Sequence, residues 1–234
     1  MIECVFMKTP EAQERVLAVH AHADDVAWVC AGTVAGLSKN RQVDNLLFTD
    51  SDYGGIGHIR RREEIIAMAI LGMTQFYPVG YDWGFKDGSL SVNNYGSMTA
   101  ALCRILDEAD QTQNPYTHII TFGIDGYSGH PDHSLVANVV SYVFHTLREG
   151  KALCKLWTVG MRPEEREMWP RDYFVYIPPI KPDDYVPVDI TGTLPQKVAA
   201  IRAHQSQLQN GAEQHIERVQ TLPPQELFQM FNRV

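Results

Sequence analysis

Apolar residues along the chain fall into two alternating patterns: short β-branched runs, and longer stretches in which they recur every three or four positions. Residues 15–21 (RVLAVHA) read as a strand, followed from Asp24 by a helical pattern that ends near Asn40. Residues 43–48 read as a strand, 59–71 as a helix closed by Gly72, and 75–79 as a strand. A helix over 98–108, a strand over 118–122 (HIITF), a helix over 132–147 and a strand over 155–159 continue the alternation. After Gly160 the text becomes proline-rich, with one strand expected at 173–177 and one helix from 194 to about 208. Strands and helices in turn predict an α/β fold: a single-domain, doubly wound, mostly parallel Rossmann-like sheet with helices on both faces. The domain is expected to span 1–234, with a core over about 16–160 and a small C-terminal appendage over about 161–234.

Composition narrows the partners. With 234 residues, 44% of them hydrophobic, the chain can bury a sizeable core. A formal charge of -8 and a pI near 5.5 give no broad basic field, which argues against nucleic acid as the main ligand. No stretch approaches the roughly 18 apolar residues of a membrane span, and the opening MIECVFMKTP lacks the layout of a signal peptide, so a cytoplasmic location is the default expectation. Cys4, Cys30, Cys103 and Cys154 show no CxxC spacing and read as structural thiols.

Doubly wound sheets bind ligands outside the carboxyl ends of their strands, and two polar clusters stand there. His22-Ala-Asp24-Asp25 follows the first strand, and His130-Pro-Asp-His133 follows HIITF and a glycine-rich loop. A histidine and an aspartate three apart, joined by a histidine from another strand end, give the His2Asp set of catalytic zinc sites. Asp24 is then placed to act as general base on an attacking water, and the remaining His130 to donate to a developing oxyanion. The plainer reading of Asp24, Asp25 and Asp132 is that they cap helices or complement helix dipoles, but two such clusters on one sheet favour chemistry. The run Arg60-Arg-Arg-Glu-Glu64 reads as a solvated helix N-terminus, and His204 as an ordinary satisfied histidine. Gly54-Gly55-Ile-Gly57 is not a dinucleotide fingerprint.

These residues resemble the LmbE-like, PIG-L family of zinc-dependent N-deacetylases, whose signatures are AHPDD and a later HPDH. LLFTDSDYGG, RRREEIIAMAILG, DGSL and KVAAIRAHQSQ resemble family segments in the same order, so the likeness covers roughly 16–208. It implies one Zn2+ held by His22, Asp25 and His133, with Asp24 as base and His130 stabilising the oxyanion. It also implies that Arg60, three residues before Glu63, and Asp87 grip substrate hydroxyls, although Arg61 and Glu64 share that spacing. Ala23 and Val26 depart from the family, which usually has proline and often glutamate there. The function expected is hydrolysis of an N-acetyl or other N-acyl group from an amino sugar or sugar-containing small molecule. The alternatives are an amidase of a thiol-sugar conjugate and a non-catalytic metal- or sugar-binding protein. Another divalent metal in place of zinc, and a homo-oligomer, remain compatible with the sequence.

Overall fold

The computed structural model describes residues 14–167 and 184–233. Its centre is a seven-stranded sheet made of β1 (Arg15–His20), β2 (Gln42–Leu47), β3 (Phe76–Tyr77), β4 (His118–Phe122), β5 (Lys155–Gly160), β6 (Val186–Asp189) and β7 (Gln225–Asn232). The order is β3-β2-β1-β4-β5-β7-β6. The first five strands are parallel, whereas β7 runs antiparallel to both β5 and β6. β1 and β4 are buried along their whole length, as central parallel strands covered on two faces must be.

The chain leaves β1 toward β2 on one side and later returns to β4 on the other, so the strand order reverses between β1 and β4. Right-handed crossovers then place the helices from the two directions on opposite faces. α1 (Asp25–Val29), α2 (Ala31–Leu37), α3 (Gly57–Leu71) and α9 (Leu194–Ala203) pack together, while α5 (Tyr95–Gln111) packs with α7 (Pro131–Tyr142). The crevice outside the carboxyl ends of β1 and β4 is the ligand position of such a sheet.

Several boundaries differ from those the sequence predicts. The helix expected from Asp24 to Asn40 is two helices broken at Cys30 (φ -142°). Glu226 of β7 explains the break, because its carboxylate accepts from the backbone N–H groups of Gly32 and Thr33 at 3.0 and 2.8 Å and so caps α2 from a remote strand. α3 begins two residues earlier than expected and ends on the left-handed Gly72. The strand expected at 75–79 shrinks to β3, and a short helix, α4 (Val79–Trp83), follows it. The helix expected over 132–147 ends at Tyr142 and continues as a π-helical turn, Val143–Leu147. Two further short helices, α6 (Gly126–Gly129) and α8 (Pro163–Glu167), flank the loops around the crevice. The strand expected at 173–177 lies outside the described residues. The region expected as an appendage supplies β6 and β7 to the sheet, α9, a 3-10 segment over Gln205–Asn210 and α10 (Ala212–Thr221). Cys30, Cys103 and Cys154 are free thiols. Among the described residues no helix is long and apolar enough to cross a membrane.

Candidate active site

The turn after β1 is built under strain. Asp24 has φ 101°, a left-handed backbone that costs a non-glycine residue of order 1–3 kcal/mol and persists only where its surroundings over-determine it. Three side chains do so here, through four contacts. Asp24 N–H donates to Glu64 Oε2 at 3.0 Å, and Ala23 N–H to Ser51 Oγ at 2.8 Å. Arg60 Nη2 donates to the Ala23 carbonyl at 2.6 Å and lies 3.2 Å from Asp24 Oδ1. The hydrogen bond to Ser51 is one a proline at position 23 would not make, so this chain fixes the turn by another device. Asp25 opens α1 but folds its Oδ2 back onto the N–H groups of Ala21 (3.1 Å) and His22 (2.6 Å). Asp24 makes no side-chain cap bond, so the helix-cap reading of it fails.

β4 delivers the second cluster. Its loop turns through Gly126, at φ 71°, where a Cβ would sit 2.7 Å from Ser134 Oγ and 3.0 Å from His133 Cβ. His130 is the N-cap of α7, and Pro131 follows it. Asp132 is not a cap either. Its carboxylate is buried and accepts from Gly88 N–H (2.8 Å) and Leu90 N–H (3.1 Å), tying the helix to the loop that carries Asp87.

The two clusters meet. His22 Nδ1 and His133 Nε2 lie 3.0 Å apart, Asp25 Oδ1 is 3.2 Å from His133 Nε2, and Asp25 Oδ2 is 3.6 Å from His22 Nδ1. Tetrahedral zinc with bonds of about 2.0–2.2 Å separates its ligand atoms by about 3.3–3.6 Å. The outward nitrogens settle the tautomers. His22 Nε2 faces Asp132 Oδ2 at 3.1 Å and Asp87 Oδ1 at 3.2 Å, and His133 Nδ1 faces the Gly126 carbonyl at 3.0 Å. With an acceptor at each outer nitrogen, neutral rings would offer the two inner nitrogens as lone pairs beside a carboxylate, an arrangement suited to a cation. His22 with His130 and His133, and His22 with Asp87 and Asp132, also gather donor atoms within 4.8 Å of one another. In the set containing Asp25 all three pairs lie within 3.6 Å, through the two Asp25 oxygens.

The crowding of charge also shifts the titrating groups of the site. Burial opposes charge on His22, yet hydrogen bonds to Asp132, Asp25 and Asp87 outweigh it and lift its pKa well above the imidazole range. Burial likewise opposes charge on Asp25, and His133 overrides it, holding that carboxyl well below its ordinary value. Asp24 moves the other way, because burial raises it to about 6 even though Arg60 opposes the rise. Burial, with His22 and His133 nearby, lowers His130 to about 4. The Asp132 backbone N–H donates to His130 Nδ1 at 3.2 Å, so neutral His130 keeps a proton on Nε2 and remains a hydrogen-bond donor.

The RRREE run is not a solvated face. Arg60, Glu63 and Glu64 are buried, whereas Arg61 and Arg62 are exposed. Arg60 Nη1 bonds Asp87 Oδ2 at 3.0 Å and the Ser51 carbonyl at 3.4 Å, so with Ala23 and Asp24 all four Nη hydrogens are engaged. Glu63 accepts from Ser206 N–H and Oγ at 2.8 and 2.6 Å, which moors the 205–210 segment to α3. Glu64 also accepts from Asn45 Nδ2 at 2.6 Å, and burial pushes its pKa up to about 7. His204 is buried with Nε2 3.4 Å from Glu64 Oε2, and desolvation lowers it to about 3.

His22, Asp24, Asp25, Arg60, Asp87, His130 and His133 all line one cleft of about 700 Å3. The sequence did not single out Trp28, Tyr53, Tyr127, Gln207 or Asn210, which line it too. Trp28, one helical turn beyond Asp24, carried a legible periodic signal, since its N–H bonds the Asp24 carbonyl at 3.0 Å.

A crevice at the switch point of a parallel sheet, holding a His2Asp set with a spare carboxylate and a spare imidazole, is the site of an α/β metal-dependent hydrolase class. The chain belongs to the PIG-L family, GlcNAc-PI de-N-acetylase, whose model matches residues 17–144. Solved structures share the fold. An N,N'-diacetylchitobiose deacetylase from Pyrococcus horikoshii aligns with a TM-score of 0.65 at 20% identity, over 94% of this chain and 84% of that one. The zinc-inhibited form of teicoplanin deacetylase Orf2 aligns at 0.65 and 14% identity, over 94% and 98%. GalB, a 4-carboxy-2-hydroxymuconate hydratase from Pseudomonas putida KT2440, aligns at 0.61 and 18% identity, over 95% and 98%. The fold thus serves more than one reaction, and the choice among them rests on the residues of the site.

Proposed function

We propose that the protein is a zinc-dependent N-deacetylase that hydrolyses the acetamide of an amino sugar. The observation that carries this is the pair of imidazole nitrogens 3.0 Å apart next to Asp25, with Asp24 and His130 on the same cleft. His22, Asp25 and His133 would hold the ion, and their donor set fits zinc, with iron or cobalt as compatible substitutes. A divalent ion there supplies Lewis acidity toward the amide carbonyl and makes water acidic near neutral pH. Asp24 takes the proton of the attacking water and passes it to the leaving amine. His130 donates its Nε2–H to the oxyanion as the carbonyl carbon becomes tetrahedral. Asp25 is spent on backbone N–H groups and the ion, which leaves Asp24 as the carboxylate available for proton transfer.

Metal analysis together with acetate release from N-acetylglucosamine and its glycosides tests the reading. About one divalent ion per chain and stoichiometric acetate and amine are expected, with the metal lost in His22→Ala and His133→Ala. Retention of metal by both variants, or no acetate from any N-acetylated sugar by the metal-loaded protein, would overturn it.

A further inference from the structure

The loop that carries His130 and His133 passes through two left-handed residues in a row, Gly126 (φ 71°) and Tyr127 (φ 61°, ψ -60°). Glycine takes such a backbone freely, but for a tyrosine it is close to the γ-turn geometry that is rare and strained. A residue held this way persists only where its surroundings fix it. The peptide unit between the two residues is held at both polar ends, because its N–H donates to Asp125 Oδ1 at 3.0 Å and its carbonyl lies 3.0 Å from His133 Nδ1. The far end of the side chain is held as well, where the Tyr127 hydroxyl donates to Glu165 Oε1 at 2.7 Å.

Glu165 belongs to α8, after β5, and lies beyond the segment 17–144 that the family model matches. Both it and the tyrosine are buried. Tyr127 is a partition: it lines the catalytic cleft and also a small cavity that Glu165 lines with Arg162, Lys197 and Glu226. Glu165 therefore grips the tyrosine from behind the cleft wall. Burial, with Glu165 beside it, pushes the phenol pKa well up, so the hydroxyl stays a donor. Glu165 Oε1 also stands 3.8 Å from His215 Nδ1, too far for a hydrogen bond, so the tyrosine hydroxyl is its close contact. A carbonyl only accepts, so the Gly126 oxygen fixes the His133 ring through its Nδ1 proton, and the Tyr127 backbone sets the direction of that oxygen. The opposite ring nitrogen, Nε2, then faces Asp25 Oδ1 at 3.2 Å and His22 Nδ1 at 3.0 Å.

We infer that Glu165 is a positioning residue for His133: by holding the Tyr127 hydroxyl it keeps the Gly126–Tyr127 peptide in the orientation that directs His133 Nε2 toward His22 and Asp25. It acts through the tyrosine, from behind the wall of the cleft. The inference rests on the deacetylase reading for what His133 serves, and it extends the support of the site from the carboxyl ends of β1 and β4 to the loop after β5.

The test uses the full chain carrying Glu165→Ala, Glu165→Gln, Tyr127→Phe or Glu165→Ala with Tyr127→Phe, each checked for a cooperative melt. Zinc affinity is read by chelator competition, the ligand geometry by the visible absorption of the cobalt-loaded protein, and the His133 ring by its Nδ1–H resonance in isotope-labelled, metal-free protein. Glu165→Ala and Tyr127→Phe should each weaken zinc about tenfold, the lower end of the loss expected when a ligand's supporting partner is removed. Each should also shift the cobalt band and open the Nδ1–H to exchange with water. The pair should be no worse than either alone, since both cut the same bond. Glu165→Gln keeps an acceptor for the hydroxyl and should stay within about twofold of the unaltered protein. A merely structural role would lower the melting temperature and leave affinity, spectrum and resonance of the folded protein in place. Unmoved affinity and cobalt band in folded Glu165→Ala and Tyr127→Phe, or Glu165→Gln as damaging as Glu165→Ala, overturns the inference. The expected pattern without acetate release from any N-acetylated sugar would leave the positioning role standing and refute the deacetylase reading, whereas acetate release with the pattern absent would do the reverse. Should the unaltered protein take up no metal, the deacetylase reading falls, and an Nδ1–H resonance unchanged by Glu165→Ala overturns the positioning role as well.

Discussion

Replacing Arg60 tests whether the site is held together from within. The guanidinium spans Asp24 Oδ1 (3.2 Å), the Ala23 carbonyl (2.6 Å) and Asp87 Oδ2 (3.0 Å), and Asp87 in turn faces His22 Nε2 at 3.2 Å. One side chain therefore connects the proposed base, the strained turn and His22, the first of the proposed metal ligands. Arg60→Ala leaves two largely buried carboxylates without their cation, at a cost of about 3–5 kcal/mol. For a chain of this size each kcal/mol lowers Tm by about 2–4 °C, so a fall of about 6–20 °C is expected by calorimetry at fixed metal concentration. Arg60→Lys should recover only part of it, because a single ammonium cannot reach three acceptors in the plane of the fork. In kinetics kcat should fall by at least about tenfold, since an Asp24 carboxylate displaced by about 1 Å is costly to proton transfer, while KM changes less. The sequence resemblance implies the opposite split, a loss of sugar contact felt mainly in KM. A folded Arg60→Ala protein with near-normal Tm and kcat but raised KM would refute the internal-clamp reasoning.

Asp24→Asn should keep its metal, as Asp24 is not among the three tight ligands, and lose about 10² to 10⁴ in turnover; metal loss in the folded variant would make it a ligand. His130→Ala should also keep metal and lose about 10² to 10³ in kcat, measured at saturating substrate. Asp132→Ala removes the acceptor that orients His22 and should weaken metal binding about 10- to 100-fold in a chelator competition. Glu64 is raised by burial to about 7, above the ordinary 4.5, so its folded form holds a proton that the unfolded chain releases between those values. Its contribution to stability is present below about pH 4.5 and is lost as pH rises through about 7, and Glu64→Gln should flatten that part of a Tm-against-pH curve.

The parallel half of the fold was legible because its strands carry short runs of apolar and β-branched residues and its connections carry a helical period. Two parts were not, and both failures have one cause. In α3 the buried positions Gly57, Arg60, Glu63, Glu64, Ala67, Met68 and Leu71 keep the helical period, but charged residues occupy three of those seven. Ile59, Ile65 and Ile66 lie on the exposed side, so hydropathy points the helix the wrong way round. β7 is disguised in the same manner, since its buried Glu226 pairs with Lys197 at 2.7 Å and caps α2, contacts that no local pattern contains. Buried charge satisfied from far along the chain reads, in sequence, as surface.

The same physics made the site half-legible. His22, Asp25 and His133 stand out because ligand chemistry fixes residue type and local spacing together, and the structure brings their donor atoms within 3.6 Å. Ser51, Glu64 and Asp132 do not stand out, because their role is to be the one acceptor at a place where the backbone or a ring offers a proton, and many residue types can fill that role elsewhere. Asp132 shows the difference: read alone it is a helix-start carboxylate, and only the fold puts Gly88, Leu90 and His22 around it. Four carboxylates, Asp24, Asp25, Asp87 and Asp132, surround this centre with Arg60 as the permanent cation among them. A buried excess of negative charge of that kind is stable only with compensating positive charge, so on the proposed reading the whole shell, and not His22, Asp25 and His133 alone, would favour a divalent ion.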